Sequence, residues 1–196
     1  MFILCNGPDF DRIWGIWKGL LHYYDKLRMI IVQAVTGVVL AGGQSRRMGQ
    51  DKAILEMRGQ RLIERVLKTL AQVFQQIVIV TGEQRKYGDL GYPVIVDQYP
   101  HCGPLGGIHA GLQAAKNPFI FVVACDMPFV NPDAILGFIS LATKDCDVVI
   151  PKKETGLEPL FARYGTACLK PIEKALQVGS YRVSSFFSEV RVQYVE

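Results

Sequence analysis

The sequence lacks the marks of a secreted, membrane-anchored or zinc-stabilised protein. Its five cysteines are an odd number and form no C-x-x-C pair, which argues against a disulfide framework and a structural zinc site and fits a reducing compartment. No apolar run reaches the ~18 residues of a membrane span. Asp9, Asp11 and Arg12 interrupt the one apolar stretch that could begin a signal peptide. We therefore expect a cytoplasmic protein with no membrane partner.

An excess of charge of one sign is also missing. Lys and Arg number 22 against 18 Asp and Glu, a net charge of +4, and the basic residues are dispersed. No basic run alternates with aromatic residues, so no nucleic-acid partner is predicted. A slight positive balance still suits a site that receives phosphorylated substrates.

The chain divides into two parts by composition. Residues 1–28 hold both tryptophans, and their apolar residues recur at helical spacing across roughly 10–27. We expect an N-terminal extension that is helical or poorly ordered. A start at Met29 and a helix that packs on a neighbouring subunit both remain open. Residues 29–196 are expected to form the functional domain.

Apolar runs without polar alternation alternate with amphipathic segments from residue 29 onward. Such runs are typical of strands buried on both faces of a parallel sheet. The pattern predicts an α/β fold, a three-layer, Rossmann-like sandwich with a mainly parallel, twisted sheet and helices on both faces. Strands are expected at 35–41, 77–80, 93–96, 119–124, 148–150 and about 160–162, and helices at 61–75, about 103–116, 132–143, about 166–177 and 181–188.

Ligands of such folds bind beyond the carboxyl ends of the strands, so chemistry is expected just after residues 41, 81, 96 and 124. The first of these ends carries the segment L-A-G-G-Q-S-R-R-M-G-Q-D-K, residues 40–52. Gly42 and Gly43 let the backbone approach a ligand, and free N–H groups in such a turn bind anions. Arg47 and Lys52 add positive charge. Neither G-x-x-x-x-G-K-[ST] nor G-x-G-x-x-G occurs, so this loop is of another kind.

That segment resembles the L-A-G-G-x-S-x-R-M-G-x-D-K signature of GT-A-type nucleotidyltransferases, and closely that of the molybdenum cofactor guanylyltransferase family. Three further segments support the resemblance in the right order. They are V-I-V-D ending at Asp97, G-P-L-G-G-I at 103–108, and C-D-M-P at 125–128. The resemblance covers roughly residues 35–164.

The resemblance implies the transfer of GMP from GTP to the terminal phosphate of molybdopterin, expected in its molybdenum-loaded form, and the release of pyrophosphate. Arg47, Lys52 and Asp126 would be catalytic, and Asp126 would hold Mg²⁺, which prefers hard oxygen ligands. Proteins that insert the pterin or deliver the cofactor to apo-molybdoenzymes are candidate partners. The residues expected to bind GTP are Leu40, Ala41, Gly42, Gly43, Lys52, Asp97, Gly103, Gly107 and Asp126.

Two alternatives stay open from the sequence. A cytidylyl- or sugar-phosphate nucleotidyltransferase would share the fold, although cytidylyl relatives tend to have L-A-A-G where this chain has L-A-G-G. A protein that binds and delivers the cofactor without catalysis would keep the nucleotide site alone. Glu158, near the expected acceptor-side strand, is either a molybdopterin contact or a structural residue.

The chain departs from the family pattern at two places. Thr81-Gly82-Glu83 stands where the family often has an Asn that contacts nucleotide, and the backbone at Gly82 is a candidate replacement. The family's Asn-rich segment ending in N-x-N-T-P does not follow Glu196 in this sequence. Any contact from that segment is expected to be absent or supplied by other residues.

Overall fold

The computed structural model describes residues 32–42, 55–57, 59–83, 86–143 and 145–196. The strands are β1 (Val35–Leu40), β2 (Glu56–Met57), β3 (Gln60–Arg61), β4 (Ile77–Thr81), β5 (Val94–Val96), β6 (Phe119–Ala124), β7 (Val148–Lys153), β8 (Gly156–Leu157), β9 (Phe161–Gly165) and β10 (Val192–Val195). The α-helices are α1 (Leu62–Leu70), α2 (Pro104–Ala114), α3 (Pro132–Ser140) and α4 (Leu169–Gln177). Short 3₁₀ helices span Gly88–Leu90, Thr166–Cys168 and Val183–Glu189.

The main sheet has eight strands in the order β10-β7-β9-β6-β1-β4-β5, with β8 paired to β7. Strands β6, β1, β4 and β5 are parallel to one another, and β10 is parallel to β7. Only β9 runs antiparallel to both of its neighbours on this path through the described residues. The predicted α/β sandwich with a mostly parallel sheet is confirmed.

Helices cover both faces of the sheet and make the three layers. On one face, Val66 of α1 and Ile135 of α3 belong to a buried cluster with Val39 and Phe121. On the other, Ile108 of α2 joins a second cluster, which also contains residues of α4. All side chains of β1 and β4 are buried. Two-sided burial explains why these strands are continuous apolar runs in the sequence.

Several predicted boundaries differ from the observed ones. The first helix ends at Leu70 rather than near residue 75. Val73 and Phe74 are nevertheless buried, in turns that follow the helix, so the apolar periodicity continues beyond the helical backbone. The segment predicted as a helix at 181–188 is the 3₁₀ helix Val183–Glu189. The sequence analysis assigned no strand to residues 192–195, which form the short, partly exposed edge strand β10.

Local signals explain where α2 and α3 begin. The Asn131 side chain accepts a hydrogen bond from the Ala134 N–H at 2.8 Å, and Pro132 occupies the first turn of α3. Gly103 precedes α2 with φ 66° and ψ −154°, a conformation that is nearly restricted to glycine. None of the helices in the described ranges is long and apolar enough to cross a membrane.

Candidate functional site

The carboxyl ends of the four parallel strands lie side by side along one edge of the sheet. Leu40, the last residue of β1, is in register with Val80 of β4 and with Ala124 of β6. The pairing continues past the strands, because the Ala41 N–H donates to the Val80 carbonyl at 2.8 Å and the Cys125 N–H donates to the Leu40 carbonyl at 3.1 Å. The loops that follow these strands therefore leave the sheet together.

Three of the predicted site residues follow parallel strands at this edge. Gly42 follows β1, Asp126 follows β6 on one side, and Asp97 follows β5 two strands away on the other. Adjacent strands lie about 4.8 Å apart, so the ends of β5 and β6, which precede the two aspartates, are separated by roughly 14 Å along the edge. Such a span is long enough for an elongated ligand.

The described part of the glycine-rich loop is its start, which directly follows β1. Leu40 and Ala41 are buried, and Gly42 is exposed beside the next loop. A Cβ atom on Gly42 would lie 3.3 Å from the backbone nitrogen of Gly82, so the backbone of Gly82 adjoins the loop. Gly43, Arg47 and Lys52 lie outside the described residues, and their predicted roles stay predictions.

Tyr87 contacts the start of this loop. Its side chain is fully buried, and its hydroxyl donates a hydrogen bond to the Ala41 carbonyl at 3.2 Å. The sequence analysis did not identify Tyr87, because nothing in the sequence near residue 87 indicates a hydroxyl partner 46 residues away. The bond ties the start of the glycine-rich loop to the segment after β4.

Tyr87→Phe is expected to lower the free energy of unfolding by about 1–2 kcal/mol, since it removes a buried hydrogen bond and leaves the Ala41 carbonyl without that donor. Urea unfolding measures the effect. Tyr194→Phe is the matched control, because Tyr194 is half exposed on β10. Its change should stay within about 0.5 kcal/mol. Equal stability of the two variants would show that the Tyr87 hydroxyl does not stabilise the start of the glycine-rich loop.

Asp97 is half-buried against the first turn of α2. Its Oδ1 accepts the Tyr99 N–H at 2.8 Å. Burial raises the pKa of the Asp97 carboxyl, while the Tyr99 N–H and the charge of His109 act in the lowering direction. A Cβ atom on Gly106 would lie 2.8 Å from both carboxylate oxygens, so only a glycine at this position admits the observed approach.

The N-terminus of α2 lies at the same edge. Gly103 caps it without a side-chain hydrogen bond from the described residues, and its first turn carries no acidic residue. Gly107 is buried one turn into the helix, where a Cβ atom would lie 3.0 Å from Leu40 Cδ2. The structure thus brings Gly103 and Gly107, both predicted from the sequence, to the region between β1 and β5. Unpaired N–H groups at a helix N-terminus favour negative charge.

Asp126 is exposed in the turn that follows β6. The Met127 N–H closes this turn by donating to the Ala124 carbonyl at 3.2 Å. Across the described residues, no three or more His, Cys, Asp or Glu side chains cluster as a metal site. Mg²⁺ needs few protein ligands, because it keeps several waters and takes other oxygen ligands from substrate phosphates.

A mainly apolar cavity of about 460 Å³ opens at this edge on the far side of Asp126 from Asp97. Met127, Phe138 and Phe161 form part of its wall. Lys153 and Glu158 also line it and form an ion pair at 3.0 Å. Glu158, for which two roles were open from the sequence, therefore lies at a cavity and is paired with a lysine.

Comparison with known proteins agrees with this geometry. The model of the MobA-like NTP transferase domain matches residues 37–192. A protein of Desulfosudis oleivorans named molybdenum cofactor guanylyltransferase is 37% identical over 165 residues, which cover 84% of this chain and 82% of that one. A protein of Pelotomaculum thermopropionicum named probable molybdenum cofactor guanylyltransferase is 42% identical over 160 residues, 82% of this chain and 78% of that one.

A solved structure supports the same assignment. Molybdopterin-guanine dinucleotide biosynthesis protein A from Archaeoglobus fulgidus aligns with a TM-score of 0.70 and 30% identity, covering 82% of each chain. The fold and the matched range define a nucleotidyltransferase of the GT-A-like fold. The chain belongs to the MobA-like NTP transferase family.

Proposed function

We propose that this protein transfers GMP from GTP to the terminal phosphate of molybdopterin, giving the guanine dinucleotide cofactor and pyrophosphate. The observation that carries the proposal is the alignment of Gly42, Asp97 and Asp126 along one edge of the sheet, in a chain whose relatives are named molybdenum cofactor guanylyltransferases. The two carboxylates stand at opposite ends of the span, as an elongated nucleotide requires.

The guanine is proposed to lie at the Asp97 end. An ionised carboxylate only accepts hydrogen bonds, so it can accept from the N1–H and N2–H₂ groups of guanine or from a ribose hydroxyl. The phosphates are proposed to lie at the other end, on the glycine-rich loop. Backbone N–H groups of residues 42–45, with Arg47 and Lys52, would neutralise their charge.

The transfer needs no general base, because a phosphate dianion is already a nucleophile near pH 7. The acceptor phosphate oxygen forms a bond to the α-phosphorus of GTP, and the bond between that phosphorus and the bridging oxygen to the β-phosphate breaks. Pyrophosphate leaves with the negative charge, which Arg47 and Lys52 are proposed to stabilise. Asp126 would hold Mg²⁺, which when bound supplies charge neutralisation at the phosphates.

The acceptor is proposed to approach from the side of Asp126 that faces the apolar cavity. The cavity lies at the same edge as Asp126 and combines apolar walls with the amino groups of Lys152 and Lys153. A planar heterocycle that carries a phosphate would place its ring against the apolar walls and its phosphate near the two amino groups. Glu158 would orient Lys153 there.

Calorimetry with GTP, CTP and ATP, each with and without Mg²⁺, tests the nucleotide half of the proposal. We expect magnesium-enhanced binding of GTP in preference to CTP and ATP. A preference for CTP would keep the fold and the type of reaction but replace the product. A protein that binds none of the three nucleotides would not be the proposed enzyme.

The affinity for GTP is expected to fall on acidification at a pH above the ordinary aspartate pKa of 3.8, because burial raises the pKa of Asp97 and protonation destroys an acceptor. The effect of Asp97 on folding stability has the opposite sign. Because the pKa of its carboxyl is raised in the folded state, its contribution to the free energy of unfolding becomes more favourable as the pH falls. GTP affinity measured from pH 7 to pH 4 should therefore fall more steeply for the wild type than for Asp97→Asn. Parallel profiles would show that Asp97 does not contact the nucleotide.

A further inference from the structure

His109 is a buried, titratable residue of α2, and the other buried residues of this helix are apolar. It lies on α2, only 1% exposed, and its Nε2 is 3.1 Å from Oε1 of Glu173 on α4. Because a carboxylate only accepts, Nε2 carries the proton and donates it. Glu173 is 38% exposed, so this hydrogen bond connects a half-exposed residue of α4 to the interior of the molecule.

The other side of the His109 ring meets the turn that holds Asp97. The rings of His109 and Tyr99 are 5.0 Å apart at an interplanar angle of 85°, an edge-to-face arrangement. The Tyr99 N–H in turn donates to Asp97 Oδ1 at 2.8 Å. Contacts therefore run without a gap from Glu173 through His109 and Tyr99 to Asp97.

Core packing alone does not account for a histidine at this place. Its Nδ1 is buried and has no hydrogen-bond partner among the described residues. A buried polar atom without a partner is costly, and an apolar ring would fill the same space without that cost. A positive charge on His109 would lower the pKa of Asp97 and so favour the ionised carboxylate.

We propose that His109 is a positioning residue of the nucleotide site, held by Glu173, which fixes the Tyr99–Asp97 turn in the conformation that binds the nucleotide. Through it, α4 contributes to nucleotide affinity although it carries no residue of the predicted site. The inference rests on the proposed function, in which Asp97 contacts the nucleotide.

The test measures the GTP dissociation constant by calorimetry in three variants of α4. Glu173→Ala removes the acceptor for Nε2, and we expect it to weaken GTP binding about 5- to 10-fold, the lower range of couplings between sites. Glu173→Gln keeps an oxygen acceptor and should restore binding to within about twofold of wild type. Lys174→Ala is the matched control on the same helix, because it breaks only an exposed ion pair with Glu189 of the following 3₁₀ helix and should leave binding unchanged.

Three other outcomes of these binding measurements would contradict the inference. Wild-type affinity in Glu173→Ala would show that the histidine does not position the turn. Equal weakening in Glu173→Gln, or in Lys174→Ala, would assign the effect to general loosening of α4. If the wild type binds GTP yet transfers no GMP, the proposed function fails while this test still decides the inference. If the wild type does not bind GTP, both are wrong.

Discussion

Gly106→Ala is expected to weaken GTP binding by about tenfold or more. A Cβ atom at this position would lie 2.8 Å from both Asp97 carboxylate oxygens and 2.8 Å from the Tyr99 carbonyl oxygen. The carboxylate and the backbone of its turn must both move to admit the methyl group. Hydrogen bonds to charged groups contribute about 1.5–3 kcal/mol. A displaced Asp97 would lose the hydrogen bonds that it is proposed to make with the nucleotide.

Calorimetric titration with GTP measures this effect, and Gly137→Ala provides the matched control. Gly137 lies inside α3, and a Cβ atom there would meet no heavy atom within 4 Å. Its replacement should leave GTP binding unchanged and stabilise the fold by about 0.5–1 kcal/mol, because alanine favours the helix. Wild-type GTP affinity in Gly106→Ala would mean that the position of the Asp97 turn is irrelevant to the nucleotide.

Asp126→Asn is expected to lower the rate of GMP transfer by a factor on the order of 10²–10³, the range found when one group that stabilises transition-state charge is removed. The amide has nearly the same shape but carries no charge, so it would bind Mg²⁺ poorly. The exposed position of Asp126 leaves room for the substitution without a packing change. The folded structure should persist, and pyrophosphate release from GTP measures the rate.

Asp133→Asn is the control for charge. Asp133 is exposed in the first turn of α3, seven residues further along the chain, and its loss removes the same charge from a neighbouring segment. It should cost only about 0.3–1 kcal/mol of stability through the helix dipole and leave the rate close to that of the wild type. A rate loss shared by both variants would assign the effect of Asp126 to overall charge, and a fully active Asp126→Asn would remove Asp126 from the catalytic set.

The sequence predicts the centre of the fold and the edge that carries the site. Strands buried on both faces produce continuous apolar runs, so the sequence predicts the bounds of β1, β4 and β6 closely. The positions of their carboxyl ends, where ligands bind in such folds, are predicted with them. Leu40, Asp97, Gly107 and Asp126 were predicted one by one from short motifs. The parallel register of the strands brings Leu40, Asp97 and Asp126 to one edge, and Gly107 of α2 packs against Leu40.

Contacts between distant parts of the chain were not predictable from the same signals. Tyr87 and Ala41 are 46 residues apart, and His109 and Glu173 are 64 apart, so no local spacing indicates either pair. The direction of β9 was not predictable for a similar reason, because the residues of a strand do not indicate whether its distant neighbours run parallel or antiparallel to it. The half-buried setting of Asp97 depends on the packing of α2 and could not be predicted from V-I-V-D alone.

The most direct test of the central claim is pyrophosphate release from GTP in the presence of Mg²⁺, with and without molybdopterin, followed by mass measurement of the product. We predict release that requires both Mg²⁺ and molybdopterin, together with a product whose mass equals that of the pterin plus GMP. GTP binding without pyrophosphate release under these conditions would contradict the proposed transfer and favour a protein that binds the nucleotide without catalysis.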